Sequence, residues 1–361
     1  MKRMIGVIAL FLLLLLAGGC SSETASASTA AQSGVQTAER IDPDAPSASR
    51  SIFAMDTYMT VTCYGDRCEE AADAAVAEIQ RLDVLLSVGN EESEIARINA
   101  SGEGSVSSDT AEMLEESLML YRTTSGAFDI TVYPLMELWG FTTGDFCVPE
   151  ESELYDVLSD VGSDRLSYDA ASGTLTLGEG QGIDLGGIAK GYTSDRLMEL
   201  FAEYDLVSGV VSLGGNVECY GTKPDGSLWR CGIQDPMDPN NSSALLGVVE
   251  VSDCAVITSG AYERNFTDDQ GRLWHHIIDP TTGYSADSGL ISVSIVTPHG
   301  MLADGLSTAC YILGLDGAID YWRESDEKFE MILMTENGQL YVTDGLKDCF
   351  TGNYPVQMIE K

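Results

Sequence analysis

Between residues 174 and 296 the chain passes through seven short stretches rich in β-branched residues. They are Thr174–Leu177, Val210–Leu213, Trp229–Ile233, Val248–Val251, Ala255–Thr258, Trp274–Ile278 and Ile291–Val296. Glycine, proline and aspartate punctuate them, the residues that supply positive φ, a fixed φ and local side-chain turns, so turns between antiparallel strands are expected. Helical periodicity recurs at 191–204 and 303–313, and a strand pair is expected at Met331–Met334 and Leu340–Val342. Earlier in the chain, Phe53, Met55, Thr57, Met59 and Val61 alternate as one strand over Ile52–Cys63. A helix follows with Ala72, Val76, Ile79, Leu82 and Leu86 on one face. Asp109 and Glu112 have capping-box spacing before a helix with Met113, Leu114, Leu118 and Tyr121 inward. Runs of strands with a few helices, and no internal repeat, predict an α+β fold with mixed, largely antiparallel sheets and flanking helices.

Lys2 and Arg3 precede an apolar run from Met4 to Leu16, followed by Ala17, Gly18, Gly19 and Cys20. This reads as a secretory signal peptide over 1–19, its apolar run shorter than the ~20 residues of a membrane-spanning helix. Small residues directly before a cysteine resemble the bacterial lipobox, in which that cysteine is acylated. Here Ala17 stands where the pattern has leucine, and Leu16 lies one place early. Cys20 is thus the expected lipidation site, and 20–50, rich in Ser, Thr, Ala, Gln and Pro without apolar period, the expected flexible tether. The expected location is extracytoplasmic, lipid-anchored to the cell membrane. Residues 51–361 are long for one core and form one large domain or two interleaved lobes.

A formal net charge of −38 argues against nucleic acid, whose phosphates demand basic patches. An anionic ligand would need local help from a cation. Eight cysteines besides Cys20 are scattered without Cys-x-x-Cys spacing, and the three histidines are too few for a His-rich metal site. Cys219 and Cys231, flanking an expected hairpin, are one candidate disulfide.

Three segments carry chemistry. Asp184-Leu185-Gly186-Gly187-Ile188-Ala189-Lys190-Gly191 places a carboxylate, a side-chain-free backbone and a cation at the start of a helix, which suits a phosphate-bearing ligand. A glycine-rich turn with a solvated Lys190 is the alternative. Asp304 and Thr308, four apart in Ala303-Asp304-Gly305-Leu306-Ser307-Thr308-Ala309, share a helical face and offer hard oxygens of the kind Mg²⁺ accepts; an Asp N-cap near a buried Thr is the alternative. His275-His276-Ile277-Ile278-Asp279-Pro280-Thr281-Thr282-Gly283 ends in turn chemistry, and adjacent histidines on a strand face opposite ways, so at most one serves a given pocket as general base. Trp139, Tyr192 and Trp229 are read as core residues rather than ring-stacking platforms.

Taken together, these segments closely resemble the ApbE family of flavin transferases. The matching pieces are Met55-Asp56-Thr57, Gly126-Ala127-Phe128-Asp129-Ile130-Thr131 with Pro134-Leu135 and Trp139-Gly140-Phe141, the octapeptide at 184–191, and Gly214-Gly215-Asn216. Thr258-Ser259-Gly260, His276-Ile277-Ile278-Asp279-Pro280 and Ala303-Asp304 through Thr308 continue in the family's order. The resemblance implies an FAD cleft between two lobes, with Met55, Ala127, Phe128, Asp129, Asp184, Lys190 and Ile278 lining the flavin-nucleotide site. It implies Mg²⁺ held by Asp304, Thr308 and the main-chain carbonyl of Gly187, where family members often have alanine. His276 is the implied base, with Lys190 and Asp304 as the other catalytic residues. The implied activity is Mg²⁺-dependent transfer of FMN from FAD to a Ser or Thr hydroxyl of an acceptor redox protein, with release of AMP. Hydrolysis of FAD to FMN and AMP is the nearest alternative, and non-enzymatic flavin binding the next. Asp304-Gly305-Leu306-Ser307-Thr308-Ala309 looks like an acceptor motif, but Cys310 stands where the modified hydroxyl would be, which argues against self-flavinylation.

Overall fold

The computed structural model describes residues 41–361, so the expected signal peptide, Cys20 and most of the expected tether lie outside the described residues. Strands β1 (Ser47–Ala54) and β2 (Thr57–Tyr64) form a hairpin, followed by helices α1 (Cys68–Leu86) and α2 (Glu94–Ser101), strand β3 (Glu103–Ser105) and helix α3 (Ser108–Thr123). Helices α4 (Tyr133–Leu138) and α5 (Glu151–Leu158) and strands β4 (Ser167–Asp169) and β5 (Thr174–Thr176) lead into α6 (Ala189–Glu203). Next come β6 (Ser208–Leu213), β7 (Asn216–Tyr220), β8 (Trp229–Gln234), β9 (Leu245–Val251), β10 (Cys254–Gly260), β11 (Asn265–Thr267), β12 (Leu273–His275) and β13 (Leu290–Thr297). Helix α7 (Gly300–Glu324) precedes β14 (Glu330–Thr335), β15 (Leu340–Thr343), β16 (Phe350–Gly352) and β17 (Val356–Ile359).

A nine-stranded sheet in the order β1-β2-β6-β7-β10-β13-β14-β15-β17 forms the frame, antiparallel except where β15 runs parallel to β17. Helices α6 and α7 bury Leu197, Phe201, Ala303, Leu306 and Ala309 against it. The three-stranded sheet β16-β9-β8 covers its far part through Ile233, Leu246, Val249, Ile332 and Met334. A smaller separate core gathers Leu135, Trp139, Phe141, Leu154, Trp274 and Ile278. The described residues form one compact unit whose hydrophobic interior divides into four clusters.

Four local expectations change. The single strand over Ile52–Cys63 is a hairpin, with Met55 and Asp56 as its two-residue turn at φ 48 and 57. Such a turn exchanges the faces of the strand: Ala54 and Thr57 share a side, so Phe53 is exposed while Met59 and Val61 are buried. Strand β1 begins at Ser47, inside the stretch expected as tether. The N-cap of α3 is Ser107, whose hydroxyl accepts from Thr110 N; Asp109 instead receives Arg81 and the Tyr192 hydroxyl. Cys219 and Cys231 do not flank one hairpin; they face each other from different sheets as free thiols, Sγ to Sγ 3.8 Å.

Candidate active site

The Met55-Asp56 turn and the start of β2, the end of α1 with residues 87–90, the β6–β7 turn, the end of β10, the N-terminal half of α7, and the segments 127–142, 184–190 and 263–280 line a cleft of about 830 Å³. Every residue assigned by resemblance to nucleotide, metal or base lines it: Met55, Ala127, Phe128, Asp129, Asp184, Gly187, Lys190, His276, Ile278, Asp304 and Thr308. Trp139, Tyr192 and Trp229 do not. Trp139 is fully buried with its indole N–H on Gly283 O, and Tyr192 is buried with its hydroxyl on Asp109.

The floor is set by how α6 and α7 meet. The first N–H groups of a helix have no partner inside it and must find one elsewhere. Gly191 N, in the first turn of α6, donates to Asp304 Oδ2 of α7 at 2.9 Å; Gly300 N and Met301 N, in the first turn of α7, donate to Asp195 of α6 at 2.7 and 2.8 Å. Each helix thus caps the other. The approach is possible because both contact residues are glycine: a Cβ on Gly191 would lie 2.2 Å from Gly300 O, and one on Gly300 2.5 Å from Glu218 Oε2. Strand β7 backs both carboxylates from alternate residues on one face. Asn216 Nδ2 donates to Asp304 Oδ1 at 2.9 Å, and the buried carboxyl of Glu218 stands close enough to Asp195 for the two to perturb each other. Burial and the neighbouring charge raise Glu218 well above the usual carboxylate range, and burial raises Asp195 to about 6. Asp195 is the less perturbed of the two because it holds two N–H donors, which favour its charged form.

Asp304 is 3% exposed and does not cap its own helix, whose N-cap is His299, so the capping alternative is set aside. Lys190 Nζ stands 3.7 Å from Asp304 Oδ1 and donates to Gly186 O at 3.4 Å, which ties the octapeptide's cation to the late helix. Thr308, one turn after Asp304, has its hydroxyl 3.3 Å from Ser259 Oγ, which also meets Ser307 Oγ at 2.8 Å.

His275 closes β12 and His276 follows it in a bend, and their rings face opposite ways. His275 Nε2 meets Ala286 O in the interior, while His276 lines the cleft. The Nδ1 of His276 lies 3.2 Å from Arg264 O, an atom that can only accept, so Nδ1 carries the hydrogen and Nε2 keeps its lone pair. The same carbonyl accepts His276 N at 3.1 Å, and the Arg264 guanidinium donates to Phe141 O. Burial, with Lys190 adding repulsion, depresses the imidazole to about 3, so it is neutral at physiological pH.

The other assigned residues divide between side-chain and supporting roles. The Asp129 carboxylate is held internally, accepting from Thr131 N and Oγ1 and from Ser163 N and Oγ. It fixes the bend that carries Ala127 and Phe128. Phe128 is core, its ring 3.3 Å from where a Gly187 Cβ would be. Asp184 accepts Gly186 N at 2.7 Å, and burial raises its carboxyl. Met55 N donates to Asp83 Oδ1 at 2.9 Å, holding the left-handed turn against the cleft. Ile278 is buried and bridges to Ser285, and Asp279 Oδ1 receives Thr281 N in the expected turn. Sequence reasoning quoted Asn216 and Ser259 only as motif members and missed Arg264, Asp83 and Glu263. Glu263 lines the cleft with its side chain exposed.

Fold and site together define a class: an α+β protein whose nucleotide-sized cleft brings one lysine, one buried carboxylate and one neutral histidine together. The profile of the ApbE family matches residues 55–333, and the chain belongs to that family. It is 34% identical over 297 residues to the FAD:protein FMN transferase of Treponema pallidum, covering 76% of this chain and 81% of that protein. The Escherichia coli K12 protein of the same name is 30% identical over 285 residues, 77% of this chain and 80% of that one. Among solved structures, the ApbE protein of Thermotoga maritima superposes with a TM-score of 0.78 at 30% identity, over 84% of this chain and 99% of that one. The flavin transferase ApbE of Vibrio cholerae gives 0.73 at 26% identity, over 84% and 99%.

Proposed function

We propose that this protein is an FAD:protein FMN transferase that moves FMN from FAD to a Ser or Thr hydroxyl of an acceptor protein and releases AMP. The observation that carries the reading is the convergence of Asp304, Lys190, His276 and the Gly186-Gly187 backbone on one cleft, in a chain whose relatives bear that name.

In this reading Lys190 supplies the cation that an anionic diphosphate needs in so acidic a chain. The acceptor hydroxyl attacks the FMN-side phosphorus, the phosphoanhydride bond breaks, and AMP leaves with the bridging oxygen. Nε2 of His276 takes the hydroxyl proton, its direction fixed by the Arg264 carbonyl. Neutrality is what the task requires, since a protonated imidazole could not accept.

The residues fit a magnesium ion. One buried carboxylate, one hydroxyl on the same helical face and the side-chain-free Gly187 backbone are hard oxygen donors. Among the described residues no cluster of three His, Cys, Asp or Glu competes as a softer site. Asp304, Thr308 and the Gly187 carbonyl would hold Mg²⁺, which would neutralise charge on the diphosphate oxygens. Asn216 and Gly191 N–H hold the Asp304 carboxylate for it. The sequence supports export and acylation at Cys20, placing the enzyme on the outer face of a membrane beside membrane or exported redox subunits.

The test incubates the protein with FAD, Mg²⁺ and an acceptor domain and follows acceptor mass and free nucleotides. Transfer adds FMN to the acceptor; free FMN with AMP means a pyrophosphatase, and no AMP means a flavin binder. Asp304→Ala is expected to abolish transfer with far-UV circular dichroism unchanged. Retained Mg²⁺-dependent transfer in that variant refutes the metal assignment.

A further inference from the structure

The reaction's second substrate is a protein, and its hydroxyl must be delivered through the cleft mouth. Strand β1 is an edge of the nine-stranded sheet, and its turn residues Met55 and Asp56 line the cleft. One residue back from the turn's closing pair, Phe53 and Tyr58 sit directly opposite each other and are 71% and 62% exposed. Two exposed aromatic side chains on one face of the hairpin, one rung from a substrate site, offer apolar surface of the kind that marks an interaction site.

Among the described residues no strand pairs with the outer edge of β1, and of its outward groups the Ser49 carbonyl accepts from the Arg50 guanidinium at 3.1 Å. In a two-residue hairpin the closing pair, here Ala54 and Thr57, bonds inward, so Ile52, Arg50 and Ala48 turn their main-chain groups to β2. Gly214 N donates to Tyr58 O from the far side of β2, which fixes the same parity. Phe53, Ser51, Ser49 and Ser47 therefore point their N–H and C=O groups away from the sheet. Soluble proteins usually guard such an edge with lysine, proline or a bulge. Here the outward residues are serines, and the one charge, Arg50, is drawn across to Glu69 and Asp73 of α1. The opposite edge, β17, also exposes apolar Met358, but no residue of β14 to β17 lines the cleft.

We propose that β1 is the docking strand for the acceptor protein: an extended acceptor segment pairs with its free edge, packs apolar side chains on Phe53 and Tyr58, and runs past the Met55-Asp56 turn to place its hydroxyl in the cleft. Main-chain pairing gives affinity without demanding one sequence, and the aromatic pair gives the register. This rests on the transferase reading above.

The experiment measures FMN transfer to a recombinant acceptor domain bearing a Ser/Thr flavinylation motif, as a function of domain concentration, with FAD binding measured separately by fluorescence. Phe53→Ser with Tyr58→Ser, and separately Ser51→Pro, which removes an outward N–H, are each expected to raise the acceptor KM about tenfold, the scale of a hot-spot loss. FAD affinity and melting temperature should stay at wild-type values, and Met358→Ser should change nothing. Unchanged acceptor KM in both β1 variants overturns the docking strand while leaving the transferase reading intact. Wild-type protein that binds FAD but labels no acceptor overturns both. A dimer that Ser51→Pro converts to a monomer with unchanged acceptor KM assigns the edge to a second copy of this chain and likewise overturns the proposal.

Discussion

Substituting Gly191 by alanine tests the reciprocal capping of α6 and α7 with one methyl group. The added Cβ would lie 2.2 Å from Gly300 O and 2.7 Å from Asp304 Cβ, where ordinary contact begins at 3.4 Å. Neither obstacle is a flexible side-chain end, so the helices must part by roughly 1 Å in an interior packed like a crystal. That shift takes the 2.9 Å bond from Gly191 N to Asp304 Oδ2 out of hydrogen-bond range. Overpacking costs about 1–3 kcal/mol, and a lost hydrogen bond to a charged group about 1.5–3. Alanine returns about 1 through its better helix propensity. The net destabilisation is about 1.5–5 kcal/mol, a fall in melting temperature of roughly 2–7 °C for a domain of this size. Catalysis should suffer more, because a ~1 Å misplacement of an active-site group costs on the order of 10²-fold in rate. Thermal melting by circular dichroism and FMN transfer by intact mass read the two effects separately. A variant that melts within about 2 °C of wild type and transfers at an undiminished rate would show that the helices do not meet as tightly as this geometry requires.

Two further outcomes follow from the groups around that site. Asp195 and Glu218 both titrate above their unfolded values, so their contribution to stability is complete below about pH 4 and falls as pH rises, for Asp195 through about 6. Glu218→Gln removes the acid that repels Asp195; the decline in melting temperature between pH 5 and 8 should become shallower, and an unaltered decline would count against this pair as its source. Cys20→Ala should abolish incorporation of radiolabelled palmitate and release the protein from membranes, and labelling that persists would remove the lipid anchor from the proposal.

What was legible in the sequence was legible because it is local or compositional. The octapeptide at 184–191 announces a main-chain approach followed by a helix, and α6 starts at Ala189 as its glycines and apolar spacing require. The β-branched stretches became strands with ends shifted by a few residues, since burial decides where a strand starts to pair. The hairpin at Met55-Asp56 was hidden because its turn has neither glycine nor asparagine. Two bulky residues hold positive φ there, a strain that Asp83 and the cleft stabilise from outside the segment. Asp109 misled for a related reason: its spacing to Glu112 fits a capping box, but an arginine from α1 and a tyrosine from α6 take its carboxylate first.

The deeper gap concerns which atoms of a motif do the binding. Asp129 stands in a motif that marks a nucleotide site, yet four donors from Thr131 and Ser163 occupy its carboxylate. Three of the four bonds fall on Oδ1 and hold the bend, which leaves Oδ2, with the single bond from Ser163 N, as the oxygen nearer to free. Asp304 is the opposite case. Its two oxygens are aimed by Gly191 and Asn216, residues 113 and 88 positions away, and Lys190 faces it within 3.7 Å. A buried charge on so acidic a chain persists only where donors and a cation converge on it. The separate glycine-rich, Gly-Gly-Asn and late-helix motifs are therefore one device: three stretches of chain that hold a single carboxylate in place facing the cleft.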